Sequence, residues 1–251
     1  MKARLSAIGF IVFTAAMATA QNKIENGPGE SRAPKTGKPE TVNETGAESI
    51  NRIRYAVIGD SYSIGEGASL NESWPAVLTQ RLNAQGLHID LVANPSRTGW
   101  TTQQAIDHEL PVFVAAKPDF ATLQIGVNDW VQGIDAETFR KHFALLADQM
   151  LKVLPNKNRL LVVTIPDFGV TPTGPRYARG RDISEGLTSF NQIIAEESNK
   201  RGLRIVDVFP MSKKMGTDPA LVAADGLHPS AKEYAEWEKI IFPAALELLT
   251  N

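Results

Sequence analysis

Cysteine is absent from all 251 residues. That excludes cysteine nucleophiles, thiolate metal sites and a lipidated N-terminal cysteine. A chain this long buries enough apolar surface without disulfides, so the absence is no argument against export. A dominant charge is also missing. The formal net charge is −2, from 26 Lys and Arg against 28 Asp and Glu. The chain therefore has neither the basic excess expected of a nucleic-acid binder nor the acidic block of a solvating tail. Histidine is scarce, with four in the chain. Metal phosphoesterase sites gather several histidines and carboxylates, so a site of that kind has little to draw on.

The first twenty residues, MKARLSAIGFIVFTAAMATA, have a positive start at Lys2 and Arg4 and an apolar centre. They end in Ala18-Thr19-Ala20, a small-residue cleavage pattern. The apolar stretch is short for a membrane span. A signal peptide over 1–20 is expected, giving a secreted or periplasmic protein with no stable membrane insertion after cleavage. Residues 21–49 hold no aromatic residue, few apolar ones and many Gly, Pro, Lys and Glu. Burial within such a segment does not offset its ordering entropy, so a flexible tether is expected. The remainder, 50–251, reads as one folded domain.

From residue 53 short apolar runs alternate with amphipathic stretches. IRYAVIG (53–59), HIDLVAN (88–94), DFATLQIG (119–126), RLLVVTIP (159–166) and LRIVDVF (203–209) read as five strands. Helices are expected over 74–86, near 102–109, and over 136–154, 183–202 and 230–250. Strands that alternate with helices imply an α/β fold of three layers, with a parallel sheet covered on both faces and right-handed crossovers.

In an open parallel sheet, ligands bind beyond the carboxyl ends of the strands. Polar clusters follow four of the five strands: Gly59-Asp60-Ser61, NPSRTGWTT (94–102), Gly126-Val127-Asn128-Asp129, and farther on DGLHPS with Asp225 and His228. These residue types support acyl transfer through serine. A serine hydroxyl becomes nucleophilic when an imidazole takes its proton. His228 is the candidate base, and Asp225, three residues earlier, is the candidate to orient its ring. The Ser61 amide, the Gly99 amide and the Asn128 side chain are candidate donors to an oxyanion. Glycine at 99 lets the backbone approach a substrate closely. Nothing in this chemistry needs a metal or organic cofactor. Asp60 reads as a loop hydrogen-bonder rather than a metal ligand, and His88, His108 and His142 as structural or solvated.

These residues carry a resemblance. GDS near the domain's start, a glycine in N-x-S-x-x-G-x-T, G-x-N-D, and D-x-x-H near its end resemble the four blocks of the SGNH (GDSL-like) hydrolases. The likeness covers the whole folded domain. It implies a five-stranded sheet of flavodoxin-like order, with Ser61 as nucleophile and His228 and Asp225 completing a triad. It also implies an oxyanion hole of Ser61, Gly99 and Asn128. The first block reads GDSYS, without the leucine of the fuller pattern, and Pro95 interrupts the second. Neither departure touches a catalytic position.

Tyr62, Trp100 and Trp130 flank the expected site and are candidate substrate contacts. So is Arg176, in the long Gly/Pro-rich excursion 167–182, which reads as a candidate lid. The expected activity is that of an exported serine esterase acting on an acetylated carbohydrate, a lysolipid or a short-chain ester. An acyltransferase with the same site and a non-catalytic carbohydrate-binding protein are the alternatives.

Overall fold

A computed structural model describes residues 52–251. The expected signal peptide and tether lie outside the described residues. The first apolar run forms β1 (Ile53–Gly59), in which Tyr55, Ala56, Val57 and Ile58 are fully buried, as when both faces of a sheet are covered. The other strands are β2 (Ile89–Ala93), β3 (Phe120–Gln124), β4 (Leu160–Val163) and β5 (Arg204–Val206). All neighbours pair in parallel, in the order β2-β1-β3-β4-β5. This is the flavodoxin-like order, with its switch point between β1 and β3.

β4 and β5 stop earlier than their apolar runs because side chains take over the ladder. Thr164 Oγ1 donates to Asp207 Oδ1 at 2.8 Å and accepts the Val208 amide at 3.0 Å. The Asp207 carboxylate also takes the Phe209 amide at 3.1 Å.

Nine α-helices lie among the described residues: α1 (Ser61–Ile64), α2 (Trp74–Ala84), α3 (Thr102–Gln104), α4 (Leu110–Ala116), α5 (Val127–Gln132), α6 (Ala136–Val153), α7 (Ile183–Arg201), α8 (Phe209–Ser212) and α9 (Ala231–Thr250). α2 and α9 pack together against one face of the sheet, and α4, α6 and α7 pack side by side on the other. α6 shows why such a segment is helical. The Asp135 side chain caps it by accepting the Thr138 amide at 2.9 Å. Phe139, Phe143, Leu146 and Met150 then recur along one buried stripe. Each of these side chains contributes roughly 1.5–3 kcal/mol through burial. α7 begins at a capping Asp182 and ends at Gly202, φ +64°.

The helix expected near 102–109 runs on to Ala116. α3 passes through a π turn, Ala105–Glu109, directly into α4. Pro111 ends no helix here: it directly follows the π turn, whose wider i→i+5 pattern already interrupts the regular ladder at Leu110.

Candidate active site

The loops after β1, β2 and β3 meet at the switch point. β1 ends at Gly59 and the chain turns at once into α1. The Asp60 carboxylate caps that helix, accepting the Tyr62 amide at 3.1 Å. The cap is therefore Asp60, which leaves the Ser61 hydroxyl without a capping duty. Ser61 is 4% exposed, and its amide, as the first of a helix, has no intrahelical acceptor. Asp60 is buried, and burial pushes its carboxyl up to about 8, with Asp129 adding to the effect and the Tyr62 hydrogen bond opposing it.

After β2 the chain makes a tight turn closed by the Trp100 amide on Arg97 O at 3.2 Å. Gly99 holds the third position at φ +83°, a conformation that costs glycine nothing. After β3, Asn128 stands in the first turn of α5. Three side chains of α5 hold the Gly99 turn. Asn128 Nδ2 donates to Trp100 O at 2.9 Å and Gln132 Nε2 to Gly99 O at 3.2 Å. The buried Asp129 accepts the Thr102 amide at 2.8 Å and also the Thr102 hydroxyl, which His142 Nδ1 approaches at 3.2 Å. Burial raises the Asp129 carboxyl, against the pull of both Thr102 hydrogen bonds.

Asp225 and His228 sit at the tip of a narrow loop, closed below by the Ala223 amide on His228 O at 2.8 Å. His228 Nδ1 lies 2.6 Å from Asp225 Oδ2. Asp225 Oδ1 accepts the amides of Leu227 and His228 at 2.8 and 3.0 Å. Partial burial would raise this carboxyl. The His228 ring and the two amides outweigh that and hold it below the ordinary value. Gly67, φ +91°, backs the histidine: a Cβ there would come 3.2 Å from His228 Cβ and 2.8 Å from Pro229 O.

Ser61, Gly99, Asn128 and His228 line one cleft of about 170 Å³. Its walls are mainly apolar, with Tyr62, Val127, Val131, Phe168, Tyr177 and Leu227 among them. No hydrogen bond joins the Ser61 hydroxyl to the His228 ring among the described residues. The sequence profile of the GDSL-like lipase/acylhydrolase family matches residues 57–235, a span that holds every residue of this cleft. The chain belongs to that family.

This GDSL-like hydrolase is 28% identical over 205 residues to a GDSL-like esterase of Mycobacterium tuberculosis, a match covering 79% of the chain and 63% of the relative. The chain thus spans under two thirds of that relative's length. It is 24% identical to an arylesterase of Vibrio mimicus over 70% of the chain and 80% of the relative. Among solved structures, TesA superposes with a TM-score of 0.62 at 23% identity, covering 78% of this chain and 99% of TesA. A family 3 carbohydrate esterase of Clostridium thermocellum gives 0.61 at 21%, covering 80% and 98%. The family is that of the SGNH/GDSL hydrolases, and the solved structures share the fold of this chain.

Of the side chains that flank the GDSL-like blocks, Tyr62 lines the cleft, edge-on to His228 with ring centroids 6.0 Å apart. Trp100, Trp130 and Arg176 are not among the lining residues. Trp100 packs on His108, Trp130 is buried against Phe168 under the Arg181 guanidinium, and Arg176 is exposed. The excursion 167–182 instead contributes Phe168 and Tyr177. It is tied down at both ends of the site. Thr173 bonds Asp225 O and Gly226 O at 3.1 and 2.8 Å, and Arg181 donates to Trp130 O and Val131 O at 2.7 and 3.2 Å. Sequence reasoning missed Gln132 and Thr173, and missed the bracing role of Arg181, because their partners lie about 30 to 50 positions away and leave no local signal. Among the described residues no group of three or more His, Asp or Glu side chains is placed to hold a metal ion, and no helix is long and apolar enough to cross a membrane.

Proposed function

We propose that the chain is an exported serine hydrolase of short-chain or aryl carboxylic esters. The observation that carries this reading is one small, mainly apolar cleft lined together by Ser61, the Asp225-oriented His228, Gly99 and Asn128. His228 takes the Ser61 proton as the hydroxyl attacks the ester carbonyl, the two groups closing on each other as the substrate fills the cleft. Asp225 holds the imidazole with its other nitrogen toward the serine and stabilises the imidazolium that forms. The amides of Ser61 and Gly99 and the second N–H of Asn128 receive the oxyanion. The imidazolium then protonates the departing alcohol. Water, activated by the same imidazole, releases the acid from the acyl-enzyme. The apolar walls beside Ser61 favour a short acyl chain or an aromatic ring over a polar sugar. The name of the Vibrio relative supports the same choice.

The test uses the form recovered outside the cytoplasm, whose first residue is expected to be Gln21. On a series of aryl esters with acyl chains of increasing length, turnover should peak among the shortest, and a fluorophosphonate should label Ser61. Ser61→Ala should fold normally and turn over nothing. An active Ser61→Ala variant, or hydrolysis confined to long-chain or sugar esters, overturns the corresponding part of the reading.

A further inference from the structure

One buried acid has no part in the chemistry above. Glu109 is fully buried, yet it stands on the helical segment that covers β1. The π turn Ala105–Glu109 widens the helix there, so that the Leu110 amide reaches Ala105 O. π turns are uncommon and concentrate near functional positions. Glu109 Oε2 accepts the Gly59 amide at 2.9 Å. The β1–β2 ladder has already ended at Ala56 and Ala93, so at Gly59 a side chain does what a strand would otherwise do. Two residues later comes Ser61. No side chain fits at Gly59 itself: a Cβ on it would fall 2.1 Å from Ser63 Oγ and 2.8 Å from Gln124 O.

We propose that Glu109 is a positioning residue for the nucleophile, its buried carboxyl anchoring Gly59 and so fixing the turn that presents Ser61. This rests on the serine-hydrolase reading and deepens it. The surroundings favour the neutral form. Burial first, then the nearby Asp60, push the Glu109 carboxyl up to about 8, against the Gly59 amide and the Ser96 hydroxyl. Beyond Asp60 stand Asp129 of α5 and, facing it, His142 of α6. Among the described residues no lysine or arginine acts on Glu109. Glu109 Oε1 and Ser96 Oγ are both buried, and neither has a hydrogen-bond partner among the described residues. A protonated Glu109 has one O–H to give Ser96 while its other oxygen keeps Gly59. Because burial has raised this carboxyl, the support it lends is complete below the ordinary carboxylate range and fades as pH rises through about 8. Ionised Glu109 would then face Asp60 across the base of the Ser61 turn.

The test measures kcat, KM and the rate of fluorophosphonate labelling at Ser61 from neutral to alkaline pH. Wild type comes first: no labelling there overturns the serine-hydrolase reading itself. Given a labelled wild type, E109A should lose about tenfold in kcat and in labelling rate at unchanged KM. E109Q keeps an acceptor for Gly59, keeps a donor for Ser96 and never ionises. It should stay within about threefold of wild type at neutral pH and retain its rate at alkaline pH, where wild type declines. A folded E109A with wild-type kcat, including one that loses only thermal stability, overturns the proposal. If E109A fails to fold, E109Q decides alone: a flattened alkaline limb supports the proposal and a limb identical to wild type overturns it.

Discussion

Asn128 shows how much of the site a single amide can carry. One of its two N–H groups is committed to Trp100 O, which fixes the plane of the side chain, and in the proposed mechanism the other receives the oxyanion. Removing one preorganised oxyanion donor commonly lowers kcat by about 10²–10³ and leaves ground-state binding alone. Asn128→Ala should do so, measured as kcat and KM on a short aryl ester; a change confined to KM would make Asn128 a substrate contact. That Ser61, Gly99 and Asn128 would share a cleft was legible because each sits in a short block soon after an apolar run, where the direct continuation of the chain decides its place. The places of Trp100 and Trp130 were not. Nearness in sequence to Asn128 suggested Trp130, but two residues along a helix is a rotation of about 200°. Val127, Asn128 and Val131 share the face that lines the cleft, while Trp130 points away, toward Gly186, where even a Cβ would stand 1.8 Å from its Nε1. In the same way Arg176 is exposed while its neighbour Tyr177 reaches the cleft.

The excursion 167–182 was legible only as a connection too long for its job. Its work is done by contacts that no local pattern encodes. Arg181 bridges two carbonyls at the end of α5 and lies 3.9 Å above the Trp130 ring, so the helix bearing Asn128 is held from its far end. Carbonyls of a last turn are short of intrahelical partners, and here a planar guanidinium reaches two at once, although Trp130 O also takes the Gly133 amide at 3.1 Å. Arg181→Ala should therefore loosen α5. We expect kcat to fall on the order of tenfold, in keeping with the sensitivity of preorganised donors to small misplacement, together with a lower Tm. Arg181→Lys, a point charge without a fork, should fall between the two. Kinetics and thermal melts of the three proteins check this, and an Arg181→Ala enzyme with unaltered kcat would show that α5 holds its place without the brace. The same distinction explains the strand ends. Apolar runs foretold β4 and β5, but where they stop is set by Thr164 and Asp207, partners 43 positions apart.

At the scale of the molecule, the 2-1-3-4-5 order gathers every cleft residue at the carboxyl ends of the strands, whereas the densest ion-pair cluster sits elsewhere. Glu197, near the end of α7, is about 20 Å along the helix from Ser184, which bonds Asp167 at the base of the excursion. Its nearly buried carboxylate joins Arg140 of α6 to Lys200 and Arg201 of its own helix, at 2.9, 2.6 and 2.8 Å. Burial alone would raise this carboxyl, but the hydrogen bonds from Lys200, Arg201 and Arg140 outweigh it and bring it down to about 2. A depressed carboxyl contributes stability that is complete above its unfolded value and is lost as pH falls through its folded one. The contact between α6 and α7 should therefore weaken between about pH 4.5 and about pH 2. Glu197→Gln removes the charge and leaves three cations facing a neutral amide. At neutral pH its Tm should drop by on the order of 5 °C, the size expected for a loss of one to two kcal/mol in a domain of this length. On acidification its Tm should fall less steeply than that of wild type, while ester turnover at moderate temperature stays at the wild-type level because the cleft is untouched. Parallel melts of the two proteins from neutral to acid pH decide it: coincident curves would mean that the cluster contributes nothing to stability, and lost turnover in the folded variant would mean that α7 transmits strain to the site.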